Sequence, residues 1–179
     1  MILTRPNSSH KESYEAMIQE WQKHEEIPTS PSALFRGKNF EEFLEFSDAE
    51  PECSEVGKVP ATLFFALDAW GKILGAIHIR HSIDTPFLRE SGGHIGYGIV
   101  PTERRKWYAT EMLRLALIEA RKIWLDRVML GCYDDNIGSI RTIENNGGII
   151  ERYTEHKGKK SRVYWITLRS DVHPNIPKV

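Results

Sequence analysis

Cysteine is scarce in this chain of 179 residues, which contains only Cys53 and Cys132. Two cysteines cannot build the disulfide framework of a small secreted domain, and their spacing is not that of a zinc site. Nowhere do about 18 apolar residues run together, so the sequence predicts no membrane-spanning helix. The first residues also lack the basic stretch and apolar core of a secretion signal. We therefore expect a cytoplasmic protein with no membrane partner.

The chain also lacks a large net charge, because it has 24 Lys and Arg residues and 25 Asp and Glu residues. The balance hides an asymmetry: residues 1–60 hold 6 basic and 12 acidic residues, and residues 61–179 hold 18 and 13. A near-neutral chain without an interleaved basic and aromatic surface is a poor candidate for binding nucleic acid. The basic second part indicates either a phosphate-bearing ligand or a solvated charged surface.

Repeats and linkers are absent as well, so residues 1–179 form one predicted domain. The apolar pattern predicts the element order β-α-α-β-β-β-α-β-α-β-β. Ser9 and Glu12 form an S-x-x-E pattern that predicts the start of a first helix over about 10–25, and Asn39 is expected to cap the second helix after the proline-containing stretch 27–31. Since hairpins precede the single crossover, the expected class is α/β with a mixed sheet rather than a doubly wound parallel sheet.

The stretch from Val100 to Thr110 joins the third core strand, about 93–100, to a long helix with a near-ideal apolar stripe. A strand that ends in a loop opening a helix directs several backbone N–H groups, and the positive end of the helix dipole, at one small volume. Arg104, Arg105 and Lys106 add three cations, which are unfavourable at a helix start unless an anion is bound there. The stretch therefore favours a phosphate-bearing ligand, with a solvated charged surface as the alternative.

These residues resemble the GCN5-related N-acetyltransferases. The family's central motif, Q/R-x-x-G-x-G/A, aligns with residues 104–109. Its second signature, N-x-x-S/A followed by a glycine turn, is similar to residues 135–139 and 143–148. The stretches 94–97 and 108–113 are similar to the sequences that flank the central motif. The stretches 75–81 and 92–97 are similar to those of a bacterial subgroup. The resemblance implies the family's acyl-CoA N-acyltransferase fold, in which a mostly antiparallel central sheet splays apart.

The resemblance implies an acetyl-CoA site along this splay. The backbone amides of 104–109 would hold the pyrophosphate, and the strand before them would pair with the pantetheine arm as an added strand would. At the start of a later helix, two polar residues match positions that contact the cofactor, with helix capping as their alternative role. The expected cofactor-binding residues are Ile99, Val100, Arg104, Arg105, Lys106, Trp107, Tyr108, Ala109, Thr110, Asn136 and Ser139.

Trp107 departs from the family pattern, which has glycine at this position and often at the position of Arg105. Glycine is needed there only if the backbone takes a positive φ, which would strain a tryptophan. We expect ordinary helical dihedrals at Trp107 and a loop that tolerates the side chain. The alternative is a non-catalytic acyl-CoA-binding or sensing domain of the same fold.

His94 stands where many family members have a glutamate that removes the proton of the acceptor amine, so the resemblance implies a catalytic base with an ordinary imidazole pKa. The alternative is a hydrogen-bonded packing residue. The family's usual general acid, a tyrosine in the last helix, matches Glu144 here, and Tyr133, Tyr153 and Tyr164 stay open as replacements. The implied activity is direct transfer of an acetyl group to a primary amine of a small molecule or peptide. A homodimer is one open alternative for the oligomeric state.

Overall fold

A computed structural model of the chain describes residues 1–26, 39–52, 58–156 and 158–168. Cys53 and the proline-containing stretch 27–31 lie outside the described residues. The predicted element order is confirmed. The elements are β1 Ile2–Thr4, α1 Lys11–Lys23, α2 Phe40–Ala49, β2 Ala61–Leu67, β3 Ile73–Arg80, β4 Ile95–Ile99, α3 Tyr108–Lys122, β5 Arg127–Tyr133, α4 Ile137–Asn145, β6 Ile149–His156 and β7 Lys159–Thr167.

The starts of the two N-terminal helices differ in how well the sequence predicts them. Asn39 caps α2 as expected, because its side-chain oxygen accepts the Glu42 N–H at 2.9 Å. The prediction that Ser9 caps the first helix is wrong. Instead, Asn7 caps a short 3₁₀ turn over 8–10 that precedes α1, and its side-chain oxygen accepts the Ser9 N–H at 3.0 Å.

The strands form two sheets, with orders β1-β2-β3-β4 and β5-β7-β6, and every described ladder is antiparallel. The two sheets touch at an isolated bridge between Gly93 and Leu130, where the His94 N–H donates to the Met129 carbonyl at 2.7 Å. Beyond that bridge, β4 has no ladder with β5 in the described part of the chain. The expected splayed, mostly antiparallel sheet is confirmed.

Two apolar clusters fill the two sides of the first sheet. On one side α1 and α2 pack through stacked aromatic rings, with Tyr14 4.6 Å from Phe43 and Phe43 5.9 Å from Phe65 between ring centroids. On the other side α3 buries Met112 and Leu113 against β3, β4 and the second sheet. None of the described helices is both long and apolar enough to cross a bilayer.

Two glycines allow the two sheets to approach each other closely where they touch. Gly93 has a φ of +64°, and a Cβ placed on it would collide with the Met129 carbonyl. A Cβ on Gly131 of β5 would likewise collide with the Ser91 carbonyl. The chain just before β4 therefore lies directly on the backbone of β5, and this contact fixes the closed end of the gap between the sheets.

We predict that Gly93→Ala lowers the free energy of unfolding by about 3 kcal/mol, because it combines a left-handed φ with a backbone collision. Gly71→Ala is the matched control, since Gly71 has a φ of +85° with open space around it. That control should cost about 1 kcal/mol. Chemical denaturation measures both values, and equal losses would show that the contact between the two sheets tolerates a side chain.

Candidate active site

A cleft of about 890 Å³ lies between β4, the start of α3 and the start of α4, with the end of α1 on its outer side. It gathers most of the residues that the sequence predicts for a cofactor. Those that line it are Ile99, Arg104, Arg105, Trp107, Tyr108, Ala109, Thr110, Asn136 and Ser139. Val100, Lys106 and His94 do not line it.

The open edge of β4 has a definite hydrogen-bonding phase. Arg80 N–H donates to the His94 carbonyl, and Val100 N–H donates to the Leu74 carbonyl at 2.9 Å, so even-numbered residues of this stretch pair with β3. Because the partners in an antiparallel ladder alternate, Tyr97 and Ile99 direct their N–H and C=O groups at the opposite, open edge. These are the groups that an extended ligand could use.

The structure does not support a role for the Val100 backbone at the open edge, whereas the orientation of Ile99 fits its predicted role, which stays a prediction. Val100 is buried, its N–H is bound by β3, and its carbonyl accepts the Glu103 N–H at 2.8 Å. Ile99 lies one residue earlier, in the opposite phase of the ladder. Adjacent residues of a strand direct their backbone groups at opposite edges, which explains why Ile99 faces the open edge and Val100 pairs with β3.

The loop before α3 is strained at two positions. Arg105 has a φ of +62° and Trp107 a φ of +66°, and Trp107 is itself the residue that precedes α3 without any side-chain cap. The expectation of ordinary helical dihedrals at Trp107 is wrong. A left-handed conformation costs a residue with a Cβ about 1–2 kcal/mol. The Trp107 side chain recovers little of this cost by packing, because the residue is 73% exposed.

Strain of this kind persists where the surrounding structure enforces it, and such positions cluster at ligand sites. Left-handed residues that alternate with right-handed or extended ones turn successive N–H groups to one side and form an anion-binding concavity. The loop over 104–107 lies at the N-terminus of α3, whose first N–H groups have no partner within the helix. Here the arrangement can hold a phosphate.

Arg104 fills the outer end of the cleft. Its guanidinium binds both carboxylate oxygens of Glu26 at 2.8 and 2.6 Å and lies 5.2 Å from the centre of the Trp21 ring. The hydrogen bond from Arg104 lowers the pKa of Glu26. The Arg104 Nε also donates to the Ile99 carbonyl at 3.3 Å, so it occupies one of the acceptors on the open edge of β4.

The other two cations of the loop face different ways. Lys106 binds the buried Glu103 at 2.9 Å, and Lys72 binds the same carboxylate, whose pKa is lowered first by Lys72 and then by Lys106. The Lys106 side chain is therefore paired within the protein, which leaves its backbone amide as the group predicted to meet the pyrophosphate. Arg105 lines the cleft and has no ion pair within the described ranges.

The α4 wall of the cleft contains several residues that the sequence analysis missed. Asn136 caps α4 by accepting the Ser139 N–H at 3.0 Å, so the capping role proposed as its alternative is present. Arg141, Thr142 and Asn145 continue the same wall. Asn145 lies three residues after Thr142 and four after Arg141, and this spacing is the signal that could have found them, because it places all three on one helix face.

His94 is buried behind the cleft. It is 5% exposed, and its Nδ1 accepts the Met129 N–H at 2.9 Å. Burial lowers the pKa of His94 to about 4, with smaller contributions from Arg80 and Arg127. The expectation of an imidazole that titrates in its ordinary range is wrong, and the geometry supports the alternative role of a hydrogen-bonded packing residue.

The tyrosines left open as a general acid also lie elsewhere. Tyr164 donates to Glu144 at 3.1 Å, and neither residue lines the cleft. Tyr133 and Tyr153 do not line it either, whereas Tyr97 and Tyr108 do. In the described part of the chain, no group of three His, Cys, Asp or Glu side chains could hold a metal ion.

Comparison with known proteins gives a family model and a set of solved structures. The model for an acetyltransferase (GNAT) domain matches residues 1–149. A candidate acetyltransferase from Salmonella typhimurium, solved with its cofactor acetyl-CoA, shares the fold with a TM-score of 0.65 at 12% identity, over 98% of each chain. A mutant spermidine N-acetyltransferase from Vibrio cholerae has a TM-score of 0.63 at 15% identity, over 94% of this chain and 95% of its own. No curated protein matches the sequence.

We predict that the free energy of unfolding is about 1 kcal/mol higher for Trp107→Gly than for Trp107→Ala. Glycine removes the Cβ penalty at a φ of +66°, whereas alanine retains it. Both variants lose the exposed indole, so their difference isolates the backbone strain. Denaturant titration measures it, and a less stable glycine variant would mean that the loop is not held in the left-handed region.

We predict a pH effect at His94. Because its folded pKa of about 4 lies below the ordinary 6.5, the unfolded state binds more protons between these values, and stability falls as the pH drops through this window. The loss amounts to about 3 kcal/mol at 1.36 kcal/mol per pKa unit. His94→Asn keeps an acceptor near the position of Nδ1 without a titrating ring. Unfolding free energies measured from pH 7 to 4 should fall less steeply for this variant than for the unmodified protein. Parallel curves for the two proteins would contradict the assignment of this pH effect to His94.

Proposed function

The chain belongs to the acetyltransferase (GNAT) family, and from this premise we propose that it transfers an acetyl group from acetyl-CoA to a primary amine of a small molecule or peptide. The observation that carries the proposal is the strained loop over 104–107 at the mouth of the cleft. Two left-handed residues with side chains, placed at the start of α3, form an anion-binding concavity beside an open strand edge.

The cleft suits the chemical parts of acetyl-CoA. The loop amides and the Arg105 side chain fit the pyrophosphate, and Asn136 and Ser139 lie on the facing wall. The open-edge groups of Ile99 and Tyr97 fit the amide groups of the pantetheine arm, which can pair with a strand edge. The Ile99 carbonyl oxygen has two lone pairs, so it can accept a hydrogen bond from an arm amide in addition to the one from the Arg104 Nε.

Direct transfer suits this cleft better than an acetylated protein intermediate. The thioester of acetyl-CoA supplies the activated acyl group. A backbone N–H of the open β4 edge can donate to the carbonyl oxygen as charge builds up on it. Cys132 does not line the cleft, and burial raises the pKa of its thiol to about 11, which keeps the thiol protonated. A covalent acyl-cysteine is therefore not part of the proposal.

The acceptor class is supported by charge. Residues 1–60, which carry 12 acidic against 6 basic residues, contribute α1 and α2 on the side of the first sheet opposite α3. A negative surface attracts a cationic amine. The structural neighbour that is a spermidine N-acetyltransferase acts on an amine of this class, at a sequence identity that supports the fold alone. The few cysteines suit a cytoplasmic location.

A second candidate function is a non-catalytic acyl-CoA-binding or sensing domain. Two observations favour it: the expected base, His94, is buried outside the cleft, and Glu144 pairs with Tyr164 instead of facing the cleft. The two functions share the cofactor site and differ in turnover. Release of coenzyme A in the presence of amines therefore distinguishes them.

We predict that acetyl-CoA binds and that Arg105→Ala weakens binding about tenfold, which corresponds to 1.4 kcal/mol for one charge-assisted contact to phosphate. Arg114→Ala is the matched control, because Arg114 is a cation of α3 that pairs with Glu111 and does not line the cleft. Calorimetric titration should give the control the affinity of the unmodified protein.

The same protein should release coenzyme A when incubated with acetyl-CoA and a panel of di- and polyamines, amino acids and peptides. Binding without release across the panel would favour the sensing domain. Absence of any binding at millimolar acetyl-CoA would contradict both functions.

A further inference from the structure

Tyr97 presents the one tyrosine side chain of β4 to the cleft. The residue lies on the open-edge phase of β4, and its ring packs against the apolar cluster under α3. Its hydroxyl faces α4, where the carbonyl oxygen of Ser139 is 3.5 Å away. Tyr97 therefore spans the gap between β4 and α4 from the strand side.

The Tyr97 hydroxyl has a poor acceptor for its own hydrogen. A distance of 3.5 Å is beyond the usual range for an O–H donor and a carbonyl oxygen, which is about 2.5–3.0 Å. The Ser139 and Thr142 side chains also hydrogen-bond to the Tyr97 oxygen, so the hydrogen of Tyr97 is directed at the distant Ser139 carbonyl and gains by donating to a better acceptor. Burial raises the pKa of Tyr97 by more than these two hydrogen bonds lower it, so the hydroxyl keeps its proton over the whole working range of pH.

The position of Tyr97 along the strand matches the reacting end of the ligand. The anion-binding loop follows Ile99 directly, and the gap between the sheets closes at Gly93. An arm that starts at the loop and follows the β4 edge passes Ile99 first and reaches Tyr97 two residues, or about 7 Å, deeper. In the proposed binding mode the thioester, which is at the far end of the arm, would lie on the side of Tyr97.

We propose that the Tyr97 hydroxyl is the hydrogen-bond donor to the leaving sulfur of coenzyme A, a role that rests on the proposed function above. As the amine nitrogen bonds to the acetyl carbon, the carbon–sulfur bond breaks and sulfur keeps its electron pair. Tyr97 donates to the sulfur as this negative charge develops. No proton leaves Tyr97, since the amine proton goes to solvent and the thiolate is protonated after release.

This assignment accounts for the missing acid on α4. The side chain at Glu144, where the family resemblance implies a tyrosine, points to Tyr164 and away from the cleft. Tyr97 supplies a phenol to the cleft from the opposite wall. Ser139 is the rival donor, because it lines the same part of the cleft on α4.

The test titrates the thiol of bound coenzyme A by the ultraviolet absorbance of its thiolate, which needs no acceptor. A donor to the thiolate lowers the pKa of the bound thiol. In Tyr97→Phe this pKa should be about one unit higher than in the unmodified protein. Tyr164→Phe is the matched control, since it removes another buried phenol hydroxyl that lies outside the cleft, and it should titrate like the unmodified protein.

Desulfo-coenzyme A, which lacks the sulfur, should bind Tyr97→Phe and the unmodified protein equally. With an acceptor in hand, Tyr97→Phe should lower kcat by 10- to 100-fold with little change in KM for acetyl-CoA. Identical thiol titrations for Tyr97→Phe and the unmodified protein would overturn the role of Tyr97, as would a loss of the pKa shift in Ser139→Ala alone. If the unmodified protein does not bind coenzyme A, the proposed function fails and this role fails with it.

Discussion

The unpaired edge of β4 is the constraint on which the rest of the site depends. A strand edge carries N–H and C=O groups that need partners, and among the residues described β5 supplies them only at the Gly93–Leu130 bridge. Beyond that bridge the two sheets diverge, and the edge groups of Tyr97 and Ile99 face a cleft. Because the two sheets do not join along this edge, its backbone groups are available to pair with a ligand. The Arg104 side chain covers part of the edge by donating to the Ile99 carbonyl.

The loop that follows this edge is held in place by several contacts at once, which is what strained backbone requires. Glu103 is buried between Lys72 and Lys106, and its N–H is bound by the Val100 carbonyl. Arg104 is anchored to Glu26 on the other side. With both ends fixed in this way, the loop reaches α3 through left-handed residues, and the cost at Arg105 and Trp107 is borne by the surrounding contacts.

The sequence predicts the features that depend on local patterns. The order of elements, the Asn39 cap and the loop before α3 all follow from periodicity, capping chemistry and short motifs. Features that depend on distant partners could not be predicted. Whether Ile99 or Val100 faces the open edge depends on the phase of the β3 ladder, and the burial of His94 depends on β5, which lies across a crossover.

Trp107 and Glu144 depart from the family pattern, and they show that binding through the backbone and chemistry through a side chain place different requirements on the sequence. Backbone amides and a strand edge can hold a cofactor whatever side chains they carry, so Trp107 can stand at a left-handed position where its exposed indole leaves the loop shape intact. Chemistry at the thioester needs a particular side chain, but the cleft has two walls that can present one. In the proposed reaction, a phenol on β4 serves in place of a phenol on α4, because both walls border the gap left by the incomplete sheet. Loss of the α4 tyrosine is thus compatible with activity as long as Tyr97 occupies the facing strand.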